Sequence, residues 1–97
     1  MSRPLEGVRV YTFENFGAGP FGSMYLADLG AEVIKIENGD TGGDATRNMG
    51  PHFLGPNDSH FFQTFNLNKK SVVLNLKTAA GREAFGKLAA KAHVVMN

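Results

Sequence analysis

Three glycines near the N-terminus have the spacing of a phosphate-binding loop. Gly17, Gly19 and Gly22 form the pattern G-x-G-x-x-G within the stretch ENFGAGPFGS. Glycines at this spacing let a backbone approach a pyrophosphate closely at the start of a helix. Glu37, about 20 residues further along, stands where dinucleotide-binding enzymes hold an acid for the ribose hydroxyls. The pattern indicates a candidate nucleotide or phosphate site.

Two features of the same stretch count against a nicotinamide dinucleotide. Residues 14–16 separate the first glycine from the preceding strand, whereas in dinucleotide-binding loops the glycine follows almost at once. Pro20 lacks one of the N–H donors that would face a phosphate. Glycines that only permit a tight strand-to-helix turn explain the pattern at least as well. A ligand loop and a structural turn both stay open at this point.

The glycines lie between segments that alternate between strand and helix patterns. Residues 8–13 alternate and predict a first strand, and residues 32–37, EVIKIE, predict a second. Between them, Pro20 suits the start of a helix, and the apolar residues that recur at helical spacing are Phe21, Met24, Tyr25 and Leu29. Strand, helix and strand in this order predict a βαβ unit with parallel strands.

The second half of the chain continues this α/β pattern after a long irregular segment. Residues 38–59 are rich in Gly and Pro without periodicity, and so long a loop is usually functional or disordered. After this loop the sequence predicts a helical turn or short helix at 60–66, a strand at 71–76, a helix at 78–92 and a strand at 94–96. Thr78 is the predicted N-cap of the last helix, and Phe85, Leu88 and Ala92 lie on one face of it. Because parallel strands need both faces covered, we expect residues 1–97 to be the truncated opening part of a larger α/β domain.

Composition restricts the classes of partner. The chain has 97 residues, is 42% hydrophobic and 20% charged, and carries a formal net charge of +1. This balance gives no long-range attraction to nucleic acid or an anionic membrane. The chain has no cysteine, which excludes disulfides and thiolate chemistry, and no apolar run long enough for a bilayer span. We expect a cytoplasmic protein with no nucleic-acid or membrane partner.

Several charged and aromatic side chains have competing interpretations. Lys69 and Lys70 could hold phosphates, but a pair of exposed lysines in a turn before a strand is the better expectation. Arg47 either contacts a substrate or anchors the long loop. The three histidines, His52, His60 and His93, do not have metal-ligand spacing. The clustered phenylalanines favour core or dimer packing over a stacking platform for single-stranded nucleic acid; they are Phe61, Phe62 and Phe65. We expect no metal site.

Five segments, in order, resemble the N-terminus of the family III CoA-transferases, also called the CaiB/BaiF family. They are PLEGVRV, GAGPFGSMYLADLGAEVIKIE, GDATR, FNLNKKSVVLNLKT and GREAF. The resemblance implies a Rossmann-like, coenzyme A-binding α/β domain of an interlocked homodimer. It also implies transfer of CoA from an acyl-CoA to a carboxylic acid acceptor through an aspartyl anhydride and an enzyme thioester. The catalytic aspartate would lie beyond this chain.

The resemblance leaves three other possibilities open. α-Methylacyl-CoA racemase is related to the transferases, so a racemase-type enzyme is an alternative. A non-catalytic module that binds CoA or a dinucleotide is another. The third is a truncated product whose exposed strand edges require a partner chain.

The resemblance also implies CoA contacts at particular positions of this chain. Gly17 and Ala18 match positions near the thioester end of CoA. Formyl-CoA-type members have glutamine in place of Gly17, which argues against an oxalate or formate substrate. Asn38 matches a position that is often an arginine in contact with the CoA nucleotide, and asparagine keeps hydrogen bonding there without the charge.

A third stretch implied by the resemblance follows the third predicted strand. Leu74, Asn75, Leu76 and Lys77 match CoA-contacting residues, although the family usually has aspartate in place of Asn75. Lys77 is the best candidate, because an ammonium group is a good partner for a phosphate. No catalytic residue and no metal ligand is assigned within these 97 residues.

Overall fold

The computed structural model describes residues 3–97, in which helices and strands alternate. The strands are β1 (Arg9–Thr12), β2 (Glu32–Glu37), β3 (Phe53–Gly55), β4 (Asp58–Ser59), β5 (Lys69–Val73) and β6 (Val94–Met96). The helices are α1 (Ala18–Asp28), α2 (His60–Phe65) and α3 (Ala79–Ala89). Short 3-10 turns occupy Gly39–Thr41 and Ala45–Asn48. The predicted α/β order is confirmed, and the long loop contains a small hairpin that the sequence did not indicate.

The main sheet has four parallel strands in the order β5-β2-β1-β6. Val10 pairs with Val33 on one side and with Val94 on the other, and Val33 pairs in turn with Lys69. If the two hairpin strands are left out and the four sheet strands are numbered along the chain, their order is 3-2-1-4, as in one part of a doubly wound sheet. Because the strands are parallel, their carboxyl ends meet at one edge, where α/β proteins bind ligands.

The core lies between this sheet and α1. Val10, Ala27, Ala31 and Val33 form one buried cluster. The apolar residues that predicted α1 are not the ones that it buries: Phe21, Tyr25 and Leu29 are 43%, 55% and 45% exposed. The buried residues of the helix are the small residues Pro20, Ser23 and Ala27. They let the helix approach the strands closely, and the large side chains face outward.

The first helix begins two residues earlier than Pro20, where the sequence predicted its start. Gly17 is its N-cap residue, and the amide of Phe21 donates to the Gly17 carbonyl at 2.8 Å. Pro20 therefore lies within the first turn, where a backbone N–H has no acceptor inside the helix. A proline costs little at such a position.

The third main strand differs from its prediction at both ends. β5 covers Lys69–Val73, whereas the predicted strand covered 71–76. Residues 74–77 therefore form a loop beyond the carboxyl end of β5, although the amide of Leu74 still donates to the Glu37 carbonyl at 3.0 Å. This loop brings the predicted CoA-contacting stretch to the ligand-binding edge of the sheet.

The last helix confirms its predicted N-cap but ends at Ala89, three residues earlier than predicted. The Thr78 hydroxyl accepts a hydrogen bond from the Gly81 amide at 3.0 Å. A Cβ at Gly81 would lie 1.9 Å from the Asn75 carbonyl oxygen, so only glycine allows the helix to pack on this loop. Within residues 3–97, no helix has the length and apolar character needed to cross a membrane.

Candidate functional site

A cavity of about 280 Å³ opens beyond the carboxyl ends of β1, β2 and β5. It contains Asn38 and the whole 74–77 loop, which are distant in sequence. Gly17 and Ala18 do not line it, but Asn15, two residues before Gly17, does. The lining residues are Phe13, Glu14, Asn15, Ile36, Glu37, Asn38, Thr41, Gly43, Asp44, Leu74, Asn75, Leu76 and Lys77. Two of the three predicted CoA-contacting stretches therefore share one cavity, and the third adjoins it.

The 74–77 loop is held by the side chain of Asn75. Its amide nitrogen donates to Asp40 Oδ2 at 2.8 Å, and its amide oxygen accepts from the backbone N–H of Lys77 at 3.0 Å. Asn75 thus joins this loop to the turn after β2. Lys77 is exposed, and among the lining residues that the structure describes it alone carries a positive charge.

Asn38 is oriented by its own turn. Its side-chain oxygen accepts from the Asp40 amide at 3.0 Å and caps the 3-10 turn that follows β2. Its backbone carbonyl accepts from the amides of Thr41 and Gly43. The side chain is half-buried at the cavity wall, in a position to offer hydrogen bonds without charge.

Glu37, the acid that a dinucleotide interpretation would assign to ribose, is occupied by protein groups. Arg47 donates to both of its oxygens, and the Ser71 hydroxyl and the Asp44 amide donate as well. Burial alone would raise the pKa of Glu37, but these hydrogen bonds outweigh burial and bring the pKa to about 2. Glu37 has a structural role here, which removes the main support for a dinucleotide.

Arg47 anchors the long loop, which resolves the choice left open by the sequence. Besides its two bonds to Glu37, it donates to the Asn57 carbonyl at 3.1 Å. Its guanidinium carbon lies 3.9 Å from the centroid of the Phe62 ring, a cation–π contact. Arg47 therefore links β2, the β3–β4 hairpin and α2.

A second set of buried charges lies beside the cavity. The side chains of Lys35, Lys69, Glu14 and Asp44 are each at most 3% exposed. Lys35 Nζ lies 2.5 Å from Asp44 Oδ2, and Lys69 Nζ lies 3.3 Å from Glu14 Oε2. The side-chain oxygen of Asn66 accepts from both lysines at 3.0 Å. Each buried charge therefore has a partner of opposite sign, and none is left uncompensated away from water.

The prediction that Lys69 lies exposed in a turn is wrong. It is the first residue of β5, and its pKa is lowered by burial, an effect that Glu14 partly offsets. Lys70 points to the opposite face, is 67% exposed and pairs with Glu32 at 2.6 Å. Successive strand residues face opposite sides, so two adjacent lysines can have opposite environments. Lys35, which lies between two isoleucines in VIKIE, was the sequence signal for such a cluster.

The cavity wall is close to neutral. Each of its three buried carboxylates pairs with a cation that is not itself a lining residue: Glu14 with Lys69, Glu37 with Arg47, and Asp44 with Lys35. Among the described lining residues, only Lys77 adds a charge without such a partner. An anionic ligand here would be attracted by Lys77. In the described part of the chain, no group of three His, Asp or Glu residues could hold a metal ion.

The glycines of the G-x-G-x-x-G pattern have different roles. A Cβ at Gly19 would lie 2.7 Å from the Glu14 Cβ, so the turn requires glycine there. Gly17 and Gly22 have open space around the place where a Cβ would be, and neither has a positive φ. Glycine at position 17 is thus not required by packing, and its bare backbone is accessible beside the cavity.

Comparison with known proteins identifies relatives over nearly the whole chain. The family description that matches is CoA-transferase family III, over residues 5–97. Human succinyl-CoA:glutarate CoA-transferase is 46% identical over 88 residues, which are 91% of this chain and 20% of that protein. Formyl-CoA:oxalate CoA-transferase of Escherichia coli O6:H1 is 40% identical over 96 residues, 99% of this chain and 23% of that protein.

Solved structures show the same relationship. A CAIB/BAIF family protein from Brucella suis superimposes with a TM-score of 0.87 at 37% identity, covering 98% of this chain and 25% of that one. A D175A mutant of Rv3272 from Mycobacterium tuberculosis gives 0.84 at 38% identity, over 99% and 25% of the two chains. The 97 residues thus span about a fifth to a quarter of the length of these relatives.

Proposed function

Because the chain belongs to CoA-transferase family III, we propose that it is the N-terminal, coenzyme A-binding part of an enzyme that transfers CoA between carboxylic acids. The substrates are an acyl-CoA and a free carboxylate. The reaction proceeds through an aspartyl anhydride and an enzyme thioester, and the nucleophilic aspartate belongs to a part of the protein beyond residue 97. Residues 1–97 supply binding and orientation.

The observation that carries this proposal is the cavity at the carboxyl edge of the sheet. It brings Asn38 together with Leu74, Asn75, Leu76 and Lys77, although two separate loops contribute them. This edge is where parallel α/β sheets bind nucleotide-like ligands. In our proposal the Lys77 ammonium contacts a phosphate of CoA, and Asn38 offers a neutral hydrogen bond.

CoA is a long molecule, so its two ends need two places. The nucleotide end binds in the cavity, and the thioester end extends past Asn15 to Gly17 and Ala18 at the start of α1. Gly17 suits this role because its backbone is bare and a Cβ there would have no neighbour within 4 Å. A ligand can therefore lie directly against the peptide backbone.

The relatives suggest which carboxylates to test first. The human and mouse proteins that share 46% and 47% identity are named for succinyl-CoA and glutarate. The protein named for formyl-CoA and oxalate shares 40%. With glycine in place of the glutamine of formyl-CoA-type members, we propose a four- or five-carbon dicarboxylate rather than oxalate.

We also propose that the full protein is a cytoplasmic homodimer. Five aromatic rings form a continuous surface row with centroid separations of 5.0–6.0 Å; they are Phe16, Phe61, Phe65, Phe21 and Tyr25. Such a row favours protein contact, since exposed apolar patches mark interaction surfaces. Light scattering of the full-length protein tests the stoichiometry.

The test of function is a binding and exchange experiment on the full-length protein. Titration calorimetry should show CoA binding and no NAD binding. Incubation of succinyl-CoA with glutarate should produce glutaryl-CoA, and oxalate should be a poor acceptor. NAD binding without CoA binding would contradict the proposed site. Epimerisation of a 2-methylacyl-CoA without CoA exchange would favour the racemase alternative.

A further inference from the structure

Asp44, in the long loop, makes an unusual number of contacts for a loop residue. Its Oδ2 accepts from Lys35 Nζ at 2.5 Å. Its Oδ1 accepts from the Phe16 amide at 3.2 Å and from both the amide and the hydroxyl of Thr46 at 2.9 Å. The side chain is completely buried. One carboxylate therefore joins strand β2, the long loop and the turn before α1.

The two oxygens of this carboxylate have separate partners. Lys35 belongs to the central strand β2, so it provides a rigid base for Oδ2. Oδ1 is then directed at the Phe16 amide, which lies 28 residues away in sequence. Burial alone would raise the pKa of Asp44, but the hydrogen bonds from Lys35 and Thr46 outweigh it and hold the pKa below its ordinary value. The group stays ionised and can accept on both sides.

The turn that receives this contact needs external support. Phe16 has φ of +70°, a conformation that residues with a Cβ rarely adopt. The Asn15 side-chain oxygen makes a second link, because it accepts from the Ala45 amide at 3.1 Å and shares the Phe16 amide with Asp44, also at 3.1 Å. Asn15 is itself part of the turn, so Asp44 is the acceptor that ties the Phe16 amide to the long loop. The turn ends directly at Gly17 and Ala18, which begin α1. The place of these two residues therefore depends on the long loop.

We propose that Asp44 is a positioning residue for the CoA site, acting through the Phe16 amide on the backbone of Gly17 and Ala18. This inference rests on the proposed function, because it concerns the same site. The Asp44 side chain, which is bound to Lys35 of β2, holds the turn at residues 15–17 in place against the sheet. Displacement of such a support by about 1 Å is enough to weaken binding and catalysis strongly.

The test compares two double variants of the full-length protein that both lack the buried Lys35–Asp44 ion pair. One combines Lys35→Met with Asp44→Asn, which keeps one oxygen to accept from Phe16. The other combines Lys35→Met with Asp44→Leu, which has a similar volume and no acceptor. Lysine is replaced in both because Lys35 and Phe16 donate to different oxygens of Asp44, and asparagine would turn its NH2 group toward Lys35 when its oxygen faces Phe16. Uncharged replacements of a buried ion pair generally fold.

We expect the variant with leucine to bind CoA at least tenfold more weakly than the variant with asparagine, and the Phe16 amide to exchange hydrogen faster in it. Ser59→Ala is the stability control, because Ser59 holds the same loop through the Thr46 carbonyl without touching the turn. It should lower the melting temperature and leave CoA affinity within twofold.

Equal CoA affinity and equal Phe16 exchange in the two double variants would overturn the proposal. So would a loss of affinity in Ser59→Ala as large as that in the leucine variant, since general loosening of the loop would then explain the effect. If the unmodified protein does not bind CoA, the proposed function fails, and the difference in Phe16 exchange still decides whether Asp44 positions the turn.

Discussion

The Arg47 guanidinium grips the Glu37 carboxylate with two hydrogen bonds, from Nε to Oε1 at 2.8 Å and from Nη2 to Oε2 at 2.7 Å. Glu37 ends the central strand β2, and Arg47 lies ten residues later in the long loop. A carboxylate that the glycine pattern would assign to ribose is thus part of the framework. The cavity beside it is left for a ligand that does not need a ribose-binding acid.

Replacement of Arg47 by methionine should destabilise the protein by about 3–5 kcal/mol, because Glu37 would stay buried without its cation. The change is measured as the free energy of unfolding in urea. Arg9→Met is the matched control, since Arg9 pairs with Glu32 at the surface with side-chain exposures of 39% and 32%. Such a surface pair contributes at most about 1 kcal/mol, so equal losses in the two variants would contradict the structural role of Arg47.

The depressed pKa of Glu37 predicts loss of stability in acid. The pKa of Glu37 is about 2 in the folded state and lies below the ordinary value of 4.5. The unfolded state therefore binds the proton more tightly, and protonation of Glu37 favours unfolding. The contribution is complete above pH 4.5 and disappears as the pH falls toward 2, with a total of the order of 3 kcal/mol. In urea titrations, Glu37→Gln should therefore differ from the unmodified protein at pH 7 far more than at pH 2.5. Glu83→Gln, which removes a 74% exposed carboxylate, is the surface control in the same titrations.

Lys77→Ala should weaken CoA binding by about 1–3 kcal/mol, the contribution of a hydrogen bond to a charged group. The effect should shrink at high salt, because the lysine is exposed and its attraction to a phosphate is screened. Calorimetry of the full-length protein measures both. Lys70→Ala removes another exposed lysine, outside the cavity, and should leave the affinity unchanged. Similar losses for both variants would point to a general charge effect.

Asn75→Asp should weaken CoA binding several-fold. Asn75 donates to Asp40 Oδ2 at 2.8 Å, and two carboxylates at that distance repel each other and separate the two loops. Adding Asp40→Asn supplies a donor again and should restore the affinity. A CoA titration of the two single variants and the double variant measures this coupling; additive effects would contradict it.

The two glycines at positions 19 and 22 should respond in opposite ways to alanine. Gly19→Ala would place its Cβ 2.7 Å from the Glu14 Cβ and should lower the melting temperature. Gly22→Ala has open space in the middle of α1 and should stabilise the helix by about 0.5–1 kcal/mol. Thermal unfolding followed by circular dichroism compares them. A destabilising Gly22→Ala would mean that the glycine pattern as a whole serves the turn.

Much of the fold was predictable because its signals are local. The parallel sheet follows from strand and helix patterns in alternation, and Thr78 was identifiable as an N-cap from its position before an amphipathic segment. The ends of β5 were not predictable. Lys69 looks like a turn residue, and only pairing with Val33 makes it the start of a strand. A lysine can be buried at this position because it forms an ion pair with Glu14 inside the fold.

The sequence by itself determined the element order, the family and the segments that meet at the carboxyl edge of the sheet. These depend on backbone preference, periodicity and motif, which neighbouring residues encode. The tertiary structure alone decided the roles of the charged groups. Asp44 contacts Lys35 across 9 residues and Phe16 across 28, and Lys69 contacts Glu14 across 55. Whether a charge is buried, paired or available to a ligand depends on such distant partners, because only they can replace the water that folding removes.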